Sequence, residues 1–344
     1  MDGRTPKIKE VHMPNRKSTL MRVCGVLLAL SIVFPLSAAL AADEPYPSRP
    51  VRFVIPFAPG GITDIIGRIV ALKLSERIGK QMVVENRGGA GGLIGIEMAA
   101  QSKPDGYTVL FTTAAFATNP SLYKVSYDPI NSFTPIAKVG SGPNVLAVHP
   151  GVPVNSVQEL IALAKKQPGK LACSAAGAGS FGHLAIEHFK AMAGVDFKIV
   201  QFKGGGPAVI DTIGGHSQVH FSALTTTQSY IKSGKLRALG MSGAARSKLL
   251  PDVPTISEAG VPGYEASMWL GLFAPAGTPR AIVDKLHKDL AATLASEDTE
   301  MKLQSQGVDV ELMGPAEFGP FIKAEIAKWD KVVRDGNIKA EGGK

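Results

Sequence analysis

Ser180 and His183 stand three residues apart in Gly177-Ala178-Gly179-Ser180-Phe181-Gly182-His183, and a serine beside a histidine offers a nucleophile and its base. Ala178–Gly182 is one residue short of a nucleophile-elbow pattern, and no third residue is indicated to orient the histidine, so Ser180 reads better as a helix N-cap. The same stretch is a literal G-x-G-x-x-G, with Asp196 about twenty residues on, the spacing of a dinucleotide fingerprint. Asp196 precedes the strand KIVQF, whereas a ribose contact would need it at the strand's end, so that reading is set aside. His183 and Glu187, four apart on a helix, could share a metal, yet no further His/Cys cluster accompanies them. No metal site and no cofactor are expected.

A different chemistry recurs along the chain. Val51–Asp64, VRFVIPFAPGGITD, is an apolar strand, a glycine turn and a helix start within fourteen residues. Such a junction aims free backbone N–H groups and the positive end of a helix dipole at one point, a site for a carboxylate or phosphate. The design returns at Arg87–Leu93, Ala176–His183 and Lys203–Pro207. Hydrogen bonds to a charged group contribute roughly 1.5–3 kcal/mol each. Two such loops per carboxylate therefore support binding of about 8 kcal/mol, near micromolar, once ordering costs are subtracted. Asp64 either complements its own helix dipole or belongs to the site, and both readings stay open. Lys203, at a strand end facing glycines, is a candidate partner for an acidic ligand.

These loops need strands and helices to hold them. Strand-like and helix-like stretches alternate, which predicts parallel α/β sheets with the site at the carboxyl ends of strands. Strands are expected at 51–57, 81–85, 107–112, 170–175, 198–202, 219–223, 236–241 and 267–275, and helices at 64–78, 93–101, 156–166, 183–193, 207–213, 279–294 and 315–334. FTPIAKV and NVLAV are read as two strands separated by Gly140-Ser141-Gly142-Pro143, the first crossing into a second lobe, with 267–275 as the return. Ser156 and Glu159 form a capping-box signature. Phe318, Phe321, Ile322, Ile326, Trp329 and Val333 form a stripe to be buried as core.

Length and composition fit a globular protein of two lobes, at 344 residues with 45% hydrophobic and 19% charged residues. Arg16, Lys17 and Arg22 precede the apolar run 23–40, which ends in Ala38-Ala39-Leu40-Ala41-Ala42, so residues 1–41 are expected to be a secretory signal peptide cut after Ala41. Six basic and two acidic residues lie in that segment, so the net charge of +8 falls to +4 over the remaining 303 residues. That mild excess suits small anions, and no Lys/Arg block suggests nucleic acid. Cys173 alone survives processing, which excludes an internal disulfide and leaves a buried, inert thiol.

FAPGGITD (57–64), VENRGGAGG (84–92), PDGYT (104–108), GAGSFGHLAIEHF (177–189), PDVPTISEAGVPGYE (251–265) and LFAPAGTP (272–279), in this order, resemble the Bug family of periplasmic receptors, the substrate-binding proteins of tripartite tricarboxylate transporters. The resemblance implies a two-lobed, type II-like periplasmic-binding fold, each lobe a sheet flanked by helices, closing over a carboxylate in the interlobe cleft. It places 57–64 and 88–92 on one ligand carboxylate and 177–183 on the other, carrying over to Phe57, Gly60, Gly61, Asp64, Gly89, Ala90, Gly91, Gly179, Ser180 and His183. The chain departs from the family pattern at Ser222, where many members have Asp, and at Phe202, where a Tyr is common; loss of the Asp argues against a ligand bearing an ammonium group.

The resulting expectation is a monomeric periplasmic receptor, not an enzyme, that binds a small di- or tricarboxylate or related organic acid for membrane transporter subunits. Its lobes are 42–142 plus 267–344 and 143–266, and Thr112, Lys203 and Ser222 complete the candidate ligand contacts. The rival expectations are an exported serine-type hydrolase using Ser180 and His183, and a solute-binding protein for sensing without a dedicated transporter.

Overall fold

The computed structural model describes residues 2–3, 46–335 and 338. All of the expected signal peptide except residues 2–3 therefore lies outside the described residues. The chain divides into two compact units, 1–46 and 47–344, and every element below belongs to the second.

In chain order these are β1 Val51–Ile55, α1 Ile62–Ile78, β2 Met82–Asn86, a short 3₁₀ turn Ala90–Gly92, α2 Leu93–Ala100, β3 Thr108–Thr113, α3 Ala115–Leu122 and β4 Phe133–Val148. Then come α4 Val157–Lys166, β5 Ala172–Ala175, α5 Phe181–Ala193, β6 Lys198–Gln201, α6 Gly205–Ile213, β7 Val219–Ala223, α7 Leu224–Lys232 and β8 Arg237–Met241. The chain finishes with β9 Ser267–Pro275, α8 Arg280–Leu294, α9 Glu297–Ser305, β10 Asp309–Met313 and α10 Pro315–Asp335. Among the described residues no helix is long and apolar enough to cross a membrane.

The strands run β2-β1-β3-β9-β4-β7-β5-β6, with β10 and β8 also paired to β4. β1 pairs in parallel with both β2 and β3, and β5 with both β6 and β7. These parallel trios are the expected βαβ units; β1 is apolar almost throughout because both its faces are covered. Antiparallel β9 and β4 join them.

β4 corrects one expectation. Residues 133–148 are one continuous strand, not two separated by a glycine turn: its first part pairs with β9 and its last part with β7 and β8. Gly140 and Gly142 serve close approach here. A Cβ on Gly140 would stand 2.3 Å from the Asp309 carbonyl oxygen, and one on Gly142 2.5 Å from that of Gly307, so β10 can lie against β4 only where side chains are missing.

Other local readings hold. Ser156 Oγ accepts from the Glu159 N–H at 3.1 Å while the Glu159 carboxylate accepts from the Asn155 N–H at 2.7 Å. Phe318, Ile322, Trp329 and Val333 are buried along α10, with Phe321 and Ile326 half-buried. Phe318 packs edge-on to Trp269 of β9 at 5.6 Å, and Trp269 and Trp329 both donate to the Glu325 carboxylate. Burial pushes the Cys173 thiol well above its ordinary pKa, consistent with an inert core residue.

Candidate functional site

Three helices begin at one cavity. The Gly61 N-cap with Ile62 and Thr63 opens α1, the Ser180 N-cap with Phe181 and Gly182 opens α5, and Gly205 opens α6; all seven line a cavity of about 40 Å³. Phe57, Thr113, Asn144, Ala176, Ser222, Ala223 and Met268 complete its wall. The first N–H groups of an α-helix have no intrahelical acceptor, and each helix start carries partial positive charge. No Lys, Arg, Asp or Glu is among the lining residues. The wall is therefore positive by virtue of its backbone alone, which suits an anion.

Phe57, Gly61, Ser180 and Ser222 are thus brought together as the sequence anticipates. Asp64 is 4% exposed and fully engaged elsewhere: its carboxylate accepts from the Gly60 N–H at 3.0 Å, Arg68 Nε at 2.8 Å and Asn86 Nδ2 at 2.9 Å. Asn86 Nδ2 also reaches the Phe57 carbonyl at 3.0 Å. Asp64 and Asn86 therefore fix the shape of the 57–61 turn, a role that neither of the two readings left open for Asp64 had named. Gly60 sits on the outer, exposed side of that turn.

The remaining candidates bring backbone to backbone across the cleft. Gly91 has a left-handed φ of 62°, and a Cβ there would stand 2.0 Å from the Ala178 carbonyl oxygen. Gly89 and Ala90 form the turn that carries it, both at positive φ. From α3, Thr118 Oγ1 donates to the Gly179 carbonyl at 3.1 Å and Asn119 Nδ2 to that of Gly91 at 3.4 Å. The Ala58 N–H donates to the Lys203 carbonyl at 3.1 Å, while the Lys203 side chain is exposed on a separate outer groove with Ala90, Tyr123 and Phe202. Thr112 is completely buried in β3, its Oγ1 without a partner; its neighbour Thr113 faces the cavity.

His183 is 3% exposed and does not line the cavity. Its Nδ1 accepts from the Gly179 N–H at 3.1 Å, so the ring proton belongs on Nε2. Burial, with the nearby Lys190 charge, lowers its pKa to about 4, so the 3.8 Å approach to Glu187 is not an ion pair at neutral pH. Lys190 holds that carboxylate instead, at 3.0 Å. Ser180 Oγ accepts from the His183 backbone N–H at 3.2 Å. The ring thus stands as support for the 177–183 loop.

The sequence profile of the tripartite tricarboxylate transporter family receptors matches residues 66–338. The chain belongs to this family. Its sheets and helices superpose on the periplasmic binding protein BugD with a TM-score of 0.83 at 36% identity, covering 86% of this chain and 99% of that one. Rpa4515 of R. palustris, solved with adipate, is equally similar, at 36% identity, TM-score 0.83 and the same 86% and 99% coverage. MatC of Rhodopseudomonas palustris, with bound malate, is 31% identical with a TM-score of 0.79, over 84% of this chain and 100% of that one. Members of the tripartite tricarboxylate receptor family are two-lobed solute-binding proteins, not enzymes, so the hydrolase expectation is dropped.

Thr113, Asn144, Ala223 and Met268 are wall residues that lie outside the glycine loops and candidate contacts read from the sequence. Asn144 is the first residue of the expected strand NVLAV, directly after the glycine–proline stretch 140–143, and nothing in that position marked it as a site residue. Thr113 is one place beyond the predicted end of its strand.

Proposed function

We propose that the protein is a periplasmic receptor that captures a small carboxylate and presents it to the membrane subunits of a tripartite tricarboxylate transporter. The observation that carries this reading is the convergence of three helix starts on a cavity with no charged side chain in its wall. A carboxylate there receives backbone N–H groups and dipole ends, each helix start contributing about 0.3–1 kcal/mol when exposed and up to about 2 kcal/mol when partly buried. The adipate and malate bound by the two R. palustris relatives are the same class of anion.

In this reading the lobes are 42–142 plus 267–344 and 143–266, residues 1–41 export the chain, and it works as a monomer. Phe57, Gly61, Ser180 and Ser222 touch the ligand. Gly60, Asp64, Gly89, Ala90, Gly91, Thr112, Gly179, His183 and Lys203 shape or close the cleft around it. A cavity of about 40 Å³ has room for only a few waters. A dicarboxylate is therefore admitted with the lobes parted and held as they come together.

Thermal unfolding against a panel of succinate, malate, adipate and citrate tests the proposal. A ligand at a hundred times its dissociation constant stabilises by about 2.7 kcal/mol. A raised midpoint with at least one acid is the expected result; no shift with any of them, confirmed by calorimetric titration, overturns it.

A further inference from the structure

Asn144 stands apart from the other polar residues of the cavity wall. Its backbone is pinned: its N–H donates to Ser242 Oγ at 2.8 Å and its carbonyl accepts from the Ser242 N–H at 2.9 Å. Its side chain is 1% exposed, faces the cavity, and its Nδ2 has no hydrogen-bond partner. Orphaned buried donors are rare in native proteins and ask for an explanation. Two of its neighbours in the wall already accept a hydrogen bond from the main chain. Ser180 Oγ accepts from the His183 N–H, and Thr113 Oγ1 accepts from the Ala115 N–H.

Position adds to this. The helix starts are carried by loops, whereas Asn144 lies on β4, the strand that runs through both halves of the sheet. In the β4–β7 register Val145 faces Ser222 and Asn144 faces Ala223, so Asn144 and Ser222 lie one place out of register on adjacent strands, and both line the cavity. The wall therefore has two chemistries: helix starts that take negative charge, and a strand-borne neutral pair that takes a hydrogen-bonding oxygen. With no carboxylate in the wall, an ammonium group would find no counter-charge.

We propose that Asn144 is the specificity-determining residue of this receptor: its carboxamide takes a second oxygen group on the ligand, selecting diacids or hydroxy-acids without an amino group over simple monocarboxylates. This rests on the carboxylate reading above. A site built around a buried hydrogen-bonding group discriminates strongly against ligands that leave it unpaired.

The test is a set of matched ligands, succinate against butyrate and adipate against hexanoate, titrated calorimetrically into the wild type and Asn144→Leu, with Asn144→Ala as a second variant should the first fail to fold. The wild type should prefer one diacid over its monoacid by about tenfold or more, and the variant should bring the two within about threefold. A wild type without that preference, or a folded variant that keeps it, overturns the assignment while leaving the carboxylate reading in place. A wild type that binds none of the acids overturns both.

Discussion

At Gly91 the missing side chain is what lets the two sides of the cleft meet. The sequence suggests that its glycine-rich loops come close to a ligand; the geometry around Gly91 shows backbone coming close to backbone. Gly91→Ala must keep a left-handed φ and place a methyl against the Ala178 carbonyl. The expected outcome is a tenfold or greater loss of carboxylate affinity by calorimetry, with a much smaller change in the unliganded melting temperature, because the clash exists only when the lobes meet. Asp64→Ala should act differently. It leaves the Gly60 N–H, Arg68 and Asn86 without their shared acceptor, so stability in urea should fall by about 1–3 kcal/mol, with weaker binding following from a distorted turn. Neither distinction was legible from residue type. Both depend on what lies opposite the residue in space, and sequence spacing says nothing of that.

Among the elements, the helix and strand pattern was largely readable because the parallel trios leave continuous apolar runs between glycine turns. β9 was legible to the residue at both ends, as was β7. The failures have particular causes. β4 was split because glycine and proline ordinarily punctuate, and at 140–143 they instead admit β10. α3, α7, α9 and β10 were not anticipated: α3 carries Pro120, and α7 begins directly where β7 stops, with no turn between them. Gly140→Val should therefore be among the most damaging single changes in the chain. It drives a branched side chain into the β10 backbone, and a loss of more than about 2 kcal/mol in urea unfolding is expected. Ser156→Ala, which removes only the α4 cap, should cost about 1 kcal/mol.

For the whole molecule, buried histidines tie stability to pH. Burial lowers His183 to about 4 and His220 to about 3, from an ordinary value near 6.5. The unfolded chain therefore binds more protons than the folded one below about 6.5. Stability from keeping these rings neutral is fully present above that value and is lost as pH falls toward 4 and below. The melting temperature should fall steadily between pH 6.5 and 4, and His220→Gln should flatten the slope. A melting temperature independent of pH in this window would show that the rings are not held neutral by burial.

The uncharged wall of the cavity has one more consequence. If the ligand's charge is met by peptide N–H groups, almost no substitution can remove that response, since every residue but proline carries the same group. A preference for anions is then fixed by the path of the main chain, and inheritance can vary only what surrounds it. Across a population of such receptors, changes at Asn144, Ser222 and Thr113 would retune which acid is taken, and the demand for an acid would outlast them all.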